Sequence, residues 1–146
     1  MKQIVRDGDI CVLATVSAGK PHCSLMAYVS NEDCSEIYMV TQRGSTKFRN
    51  LKENPSVSLL IDTREEHQGI NRPKAKALTV DGVFQVIEEP KRSQVTNRLL
   101  EKHPHLKVFL DHPHSELLCI RISSFLFLDG LTDSHYVELQ VDVTSK

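Results

Sequence analysis

Hydrophobic and polar residues alternate along much of the chain with a period of two, the spacing of a strand buried on one face. Cys11 to Val16 is short and β-branched, Ser17-Ala18-Gly19-Lys20 has turn composition, and His22 to Val29 alternates between two faces, which together predict a β-hairpin. On its second strand Cys23, Leu25, Ala27 and Val29 share an apolar face. His22, Ser24, Met26 and Tyr28 share a mixed face with polar tips, of the kind that suits a pocket or an interface. Asn31 to Ser35 is a second turn and Ile37 to Thr41 a third strand, so the pattern predicts a three-stranded meander. Val57 to Ile61 predicts a buried fourth strand, Lys76 to Ile87 a long fifth with a bend or bulge at Gly82, and Glu116 to Leu128 the longest strand. Weaker alternation from Tyr136 to Val143 predicts that the tail, residues 135–146, pairs with a partner chain or stays mobile.

Two segments break this pattern as helices. Ser45 to Glu53 has a capping serine, Phe48 and Leu51 on one face, and Asn54-Pro55 to end it. Pro90 opens a second helix to about Lys102, with Val95, Leu99 and Leu100 as a thin apolar stripe. Asp62 to Lys74 is polar and reads as an exposed loop. Strands with two inserted helices predict a mainly β fold, a closed or nearly closed antiparallel barrel forming one domain over residues 1–146.

Composition fits that size. The 146 residues are 40% hydrophobic and 25% charged, and no apolar run is long enough to predict a membrane span. A formal charge of −1 provides no global basic field for a nucleic-acid backbone. Arg6, Asp7 and Asp9 stand where a signal peptide needs apolar residues, so a cytoplasmic protein is expected. Cys11, Cys23, Cys34 and Cys119 form no C-x-x-C pair and read as buried thiols, and no metal site is predicted from them. His103-Pro104-His105 and His112-Pro113-His114 flank the apolar segment Leu106 to Leu110, and they are the sequence's one pointer to metal or haem.

The start of the first predicted helix breaks an electrostatic rule. Arg43, Lys47 and Arg49 crowd a terminus that already presents partial positive charge, and no acidic residue balances them. A bound phosphate removes the conflict, because free N–H groups, the hydroxyls of Thr41, Ser45 and Thr46 and the Lys47 ammonium all donate to its oxygens. Three exposed cations pointing into water are the alternative. Neither G-x-G-x-x-G nor G-x-x-x-x-G-K-[ST] occurs, which disfavours nucleoside triphosphate chemistry.

Gly19-Lys20-Pro21-His22, Tyr38-Met39-Val40-Thr41, Ser45-x-Lys47-x-x-Asn50-Leu51-x-x-x-Pro55-x-Val57-x-Leu59 and Ala77-Leu78-x-Val80-x-Gly82 occur in an order and spacing that resembles the pyridoxamine 5'-phosphate oxidase-like family of flavin-binding split barrels. The resemblance covers about residues 8 to 88 and implies a six-stranded split barrel that forms a homodimer with an FMN site between subunits. It implies that Thr41, Ser45, Thr46 and Lys47 hold the FMN phosphate, and that Ser24, Leu25, Met26 and Ala27 run past the isoalloxazine ring. Gln42 would lie near the ribityl chain or ring, and Lys76 and Asn71 would reach the flavin from the other subunit. The expected activity is an FMN-dependent oxidoreductase acting on a small substrate, with His22 and Tyr28 as candidate proton donors by position and no catalytic residue assigned. Alternatives are a non-catalytic FMN redox carrier and a barrel that binds haem or deazaflavin.

The chain departs from the oxidase itself. Where that enzyme has R-x-V-L-L-K, this chain reads Ser24-Leu25-Met26-Ala27-Tyr28-Val29, and it contains no tryptophan for the pyridoxal ring, so vitamin B6 oxidation is not expected. Arg43 or Lys76 is the candidate substitute for the missing phosphate contact. A small barrel with two thin helices also leaves apolar strand faces uncovered, which favours self-association.

Overall fold

Ala18 and Gly19, at φ of 51° and 75°, make a two-residue turn whose left-handed backbone matches the twist of paired strands. It joins β1 (Ile10–Ser17) to β2 (Lys20–Ala27) in the predicted hairpin, in register from Ser17–Lys20 to Ile10–Ala27. The computed structural model to which this turn belongs describes residues 1–62, 76–130 and 133–139. The other strands are β3 (Val29–Ser30), β4 (Glu36–Gln42), β5 (Ser56–Asp62), β6 (Lys76–Gln85), β7 (Ser115–Asp129) and β8 (Asp133–Glu138). The helices are α1 (Lys2–Asp7), α2 (Thr46–Glu53), α3 (Lys91–Lys102) and α4 (Lys107–Leu110), with a 3-10 turn at Pro104–Leu106.

All strand pairs are antiparallel, in the order β2-β1-β5-β6-β7-β4-β3, with β8 also on β7. β2 and β3 are one run of chain divided only at Tyr28, yet they lie at opposite ends of that order. The sheet therefore curls until adjacent residues hold its two ends, which is the geometry of a split barrel. Eight strands are described where six are predicted, because Tyr28 separates β2 from β3 and β8 is added. The expected meander holds only at its end, where Val29 pairs with Tyr38; β4 otherwise pairs with β7, and none of it pairs with β2.

The inward face carries Leu13, Met39, Leu59, Leu78, Leu118, Ile120 and Phe125, joined by Val5 of α1 and Phe48 and Leu51 of α2. A second cluster lies outside the sheet, where Val95 and Leu99 of α3 cover Val29, Tyr38, Val40, Leu117 and Cys119. β4 and β7 are thus covered on both faces there, which accounts for the unbroken apolar character of Ile37–Val40 and Leu117–Ile120. Gly82 sits at the predicted irregularity, where the β6–β7 register shifts between Asp81 and Gly82. A Cβ on Gly82 would lie 2.6 Å from the Arg121 carbonyl oxygen, so only glycine lets the strands approach this closely.

Several expectations are corrected. β5 is not buried throughout but alternates, with Val57, Leu59 and Ile61 inward and Leu60 exposed. The thiols of Cys11, Cys34 and Cys119 are buried, whereas Cys23 is exposed on the outer face of β2. Of the tail, residues 135–138 belong to β8, which pairs with β7 of the same chain. The short α1 carries no sequence signal and was not expected. The predicted loop from residue 62 to 74 lies almost wholly outside the described residues. Among the described residues no helix is long and apolar enough to cross a membrane.

Candidate functional site

β4 delivers the chain to α2 through Gln42-Arg43-Gly44-Ser45. Ser45 caps the helix as its spacing predicts, accepting a 3.2 Å hydrogen bond from Phe48 N. Its Oγ also lies 3.0 Å from Oγ1 of the buried Thr41, so the last turn of β4 and the first of α2 are tied by paired hydroxyls. Ser45 N donates to Gln42 O at 3.0 Å, which tightens the connection. The first turn contains no acidic residue. The amides of Thr46 and Lys47 stand at its open end with no carbonyl one turn earlier to accept them.

The three cations have separate fates. Arg43 Nε donates to Glu116 Oε1 at 2.8 Å, an ion pair between the β4–α2 connection and β7. Arg49 Nη2 donates to Thr46 Oγ1 at 3.3 Å. Lys47 is half-buried and has neither an ion pair nor a hydrogen bond from its ammonium among the described residues. Of these three cations, only Lys47 keeps a charge that nothing among the described residues engages, and Arg43 does not offer a free substitute for the arginine that β2 lacks.

α2 rests on β1 and β2, with Asn50 Nδ2 donating to Thr15 Oγ1 at 3.1 Å. On β2, Met26 is buried, Ser24 and Ala27 are half-buried and Leu25 is 73% exposed. The apolar face read on this strand is thus the outer one, and the mixed face points to the core. Tyr28 follows that inward face to full burial, where its hydroxyl donates to Val5 O at 2.8 Å. Burial raises its phenol far above the ordinary range, with the nearby Cys11 and Asp9 acting in the same direction. As a proton donor Tyr28 is therefore corrected to a core residue, whereas His22 remains half-buried on β2.

Lys76 opens β6 opposite Asp129 and is exposed. Asn71 lies outside the described residues. The histidine pairs diverge in environment: His103 is buried with Nε2 2.8 Å from Tyr28 O, while His105, His112 and His114 are exposed. Among the described residues no three His, Cys, Asp or Glu side chains converge as a metal site.

Two features were not read from the sequence. Leu25, Val12, Leu60, Thr79, Leu126 and Tyr136 stand directly opposite one another across six strands, forming one row on the outer sheet face. Leu25, Leu60, Leu126 and Tyr136 are all exposed in the single chain. Each strand's alternation indicates an apolar position, but only the register aligns them. Separately, an open cleft of about 520 Å³ lies between the β3–β4 turn and α3, lined by residues including Asn31, Tyr38, Lys91 and Arg98. None of the predicted cofactor residues lines it.

Comparison with known proteins places these features in context. The family model described as pyridoxamine 5'-phosphate oxidase matches residues 1–128. No curated protein matches the chain. Among solved structures, the chain is similar to a haem binding protein from Mycobacterium smegmatis, with a TM-score of 0.83 and 17% identity over 94% of this chain and 55% of that one. It thus spans about half the length of that protein. It is also similar to HutZ, the haem storage protein from Vibrio cholerae, with a TM-score of 0.68 and 22% identity over 92% and 89% of the two chains. An FAD-binding protein from Mesorhizobium loti gives a TM-score of 0.69 and 17% identity over 86% and 88%.

Proposed function

The chain belongs to the pyridoxamine 5'-phosphate oxidase family, and from that premise we propose that it is an FMN-binding flavoprotein, an oxidoreductase for a small substrate. The observation that carries this reading is the start of α2, where a serine cap, an acid-free first turn and an unengaged lysine coincide. Such a donor set fits a phosphate dianion, which would satisfy the open amides and the Lys47 charge together. Thr41, Ser45, Thr46 and Lys47 would hold the phosphate, Gln42 would meet the ribityl chain or ring, and the Ser24–Ala27 backbone would run along the ring. Bound FMN supplies hydride chemistry at its ring, while the chain supplies position and exclusion of water.

The site is proposed to lie between two copies of the chain. The exposed apolar row from Leu25 to Tyr136 supports this, because a second copy would bury it and bring Lys76, and Asn71 of the undescribed segment, to the flavin. An FAD-binding protein of the same fold agrees with a flavin. Haem is the second reading, favoured by the two haem proteins that share the fold. His103 contributes little to it, being held on Tyr28 O, so the exposed histidines would have to serve.

The deciding experiment is the absorbance of the purified protein from 300 to 600 nm, followed by titration with FMN, riboflavin and haem. FMN binding near one per subunit, much tighter than riboflavin, is expected. Failure to bind FMN overturns the proposal, and a stoichiometric haem band in its place selects the second reading.

A further inference from the structure

The cleft between the β3–β4 turn and α3 shares no residue with the proposed flavin contacts, nor with the exposed row that a second copy would cover. Its volume of about 520 Å³ is that of a small-molecule site. On the α3 side it is lined by the half-buried Arg98, whose Nε and Nη2 donate to Ser30 O at 3.1 and 2.7 Å. A guanidinium has five N–H groups, and this one carbonyl takes two of them from one edge. The other edge, Nη1 with the second N–H of Nη2, keeps its parallel donors and has no acceptor among the described residues. That edge matches the two oxygens of a carboxylate.

The turn side of the cleft is negative. Glu32 and Asp33 line it, and neither is in an ion pair among the described residues. Arg6 reaches only the Glu32 carbonyl, at 3.4 Å. Glu32 follows Ser30 by two residues, a span of at most ~7 Å, so the acidic side begins close to the carbonyl that holds Arg98. The turn is fixed by its own bonds: Asn31 Oδ1 accepts from the amides of Ser35 and Glu36, each at 3.0 Å, and Asp33 Oδ1 accepts from Ser35 Oγ at 2.6 Å. Asp33 Oδ2 and the Glu32 carboxylate stay open. Lys91 does not neutralise them, because its ammonium donates to both oxygens of Glu36 at 2.8 and 2.9 Å. Tyr38 and Val95, both buried, supply apolar lining.

A phosphate dianion on Arg98 would stand beside two carboxylates, and a simple amine would leave the arginine edge unanswered. A molecule carrying one ammonium and one carboxylate meets both sides at once. We propose that this cleft binds a small zwitterion, an α-amino acid with an apolar side chain. Its carboxylate takes the free edge of Arg98, its ammonium lies at Glu32 and Asp33, and its side chain rests on Tyr38 and Val95.

The test follows thermal unfolding of the full chain, with and without FMN, in millimolar L-leucine, L-methionine or L-phenylalanine, and then measures dissociation constants by calorimetry. At least one of the three is expected to raise the unfolding temperature, whether or not FMN is present. Its methyl ester, which lacks the carboxylate charge, and its N-acetyl form, which lacks the ammonium, should each bind roughly tenfold or more weakly. Glu32→Gln/Asp33→Asn keeps an acceptor for Ser35, and Arg98→Lys keeps a donor for Ser30 O. Both variants should lose affinity for the amino acid by a similar factor while binding FMN as the wild type does. No shift with any of the three amino acids, equal binding of the blocked forms, or unchanged affinity in both variants overturns the inference. Displacement of the amino acid by FMN overturns it as well, because the two sites would then be one.

Discussion

The hydroxyl of Tyr28 donates to the carbonyl of Val5 at 2.8 Å, joining the residue that divides β2 from β3 to the helix at the start of the chain. Both residues are completely buried, so the bond has no competing water. Tyr28→Phe is expected to cost about 1–2 kcal/mol in thermal or denaturant unfolding. Flavin affinity and turnover should not change. A variant of undiminished stability with slowed flavin reduction would return the phenol to the list of proton donors.

Lys47→Ala tests the phosphate position directly. Loss of a charge-assisted hydrogen bond should weaken FMN binding by ~1.5–3 kcal/mol, while riboflavin, which lacks the phosphate, should bind as before. Calorimetric titration of both ligands reads the difference. An equal loss for both would place the phosphate elsewhere.

The outer apolar row gives a prediction about assembly. Leu126 lies in its middle and is exposed in the single chain, with no part in the proposed flavin contacts. If this row is the interface of the proposed dimer, Leu126→Asp should leave the fold intact and yield a monomer in sedimentation at micromolar concentration where the wild type is a dimer, since a charge there would have to be buried unpaired. FMN affinity should fall in parallel if the partner completes the site.

Glu36 links α3 to the sheet. Lys91 Nζ donates to it at 2.8 Å, Tyr38 Oη at 2.8 Å and Cys119 Sγ at 3.3 Å. Burial by itself would raise the Glu36 pKa, but the hydrogen bonds from Lys91, Tyr38 and Cys119 and the Lys91 charge outweigh it and hold the carboxyl below its ordinary 4.5. Because the folded value is the lower one, the stabilisation is present above pH ~4.5 and is lost as pH falls through the folded value. Burial, followed by the Glu36 charge, pushes the Cys119 thiol up to about 12, so it stays protonated as a donor. Glu36→Gln should lower stability at pH 7 by about 1–3 kcal/mol and flatten the loss on acidification, as followed by urea unfolding between pH 3 and 7.

What could be read in advance was local. The Ala18-Gly19 hairpin, the Ser45 cap and the Gly82 irregularity each depend on backbone geometry that a few neighbouring residues dictate. The direction of the β2 faces was not legible, because a period of two says that Cys23 and Leu25 lie together and not whether they face core or solvent. The burial of Cys34 depends on a turn residue at φ 56° whose thiol reaches Lys2 O. α1 was invisible for the same reason, its one buried residue, Val5, being held by Tyr28 from 23 positions away. At the candidate site the residue types and the cap were legible, but the partition of the cations was not. That Arg43 belongs to Glu116 while Lys47 stays unengaged is decided by a strand 73 residues further along the chain.

The placement of β7 also orders events during synthesis. β6 and β4 have no strand between them until residues 115–129 arrive, since β7 pairs with β6 along one edge and with β4 and then β8 along the other. A nascent chain still short of those residues carries two bare strand edges and an exposed inner face, the condition that invites wrong pairing and chaperone capture. The ribosome must therefore release most of this chain before its sheet can close, and premature termination before residue 115 leaves a strand-pairing hazard rather than a smaller barrel.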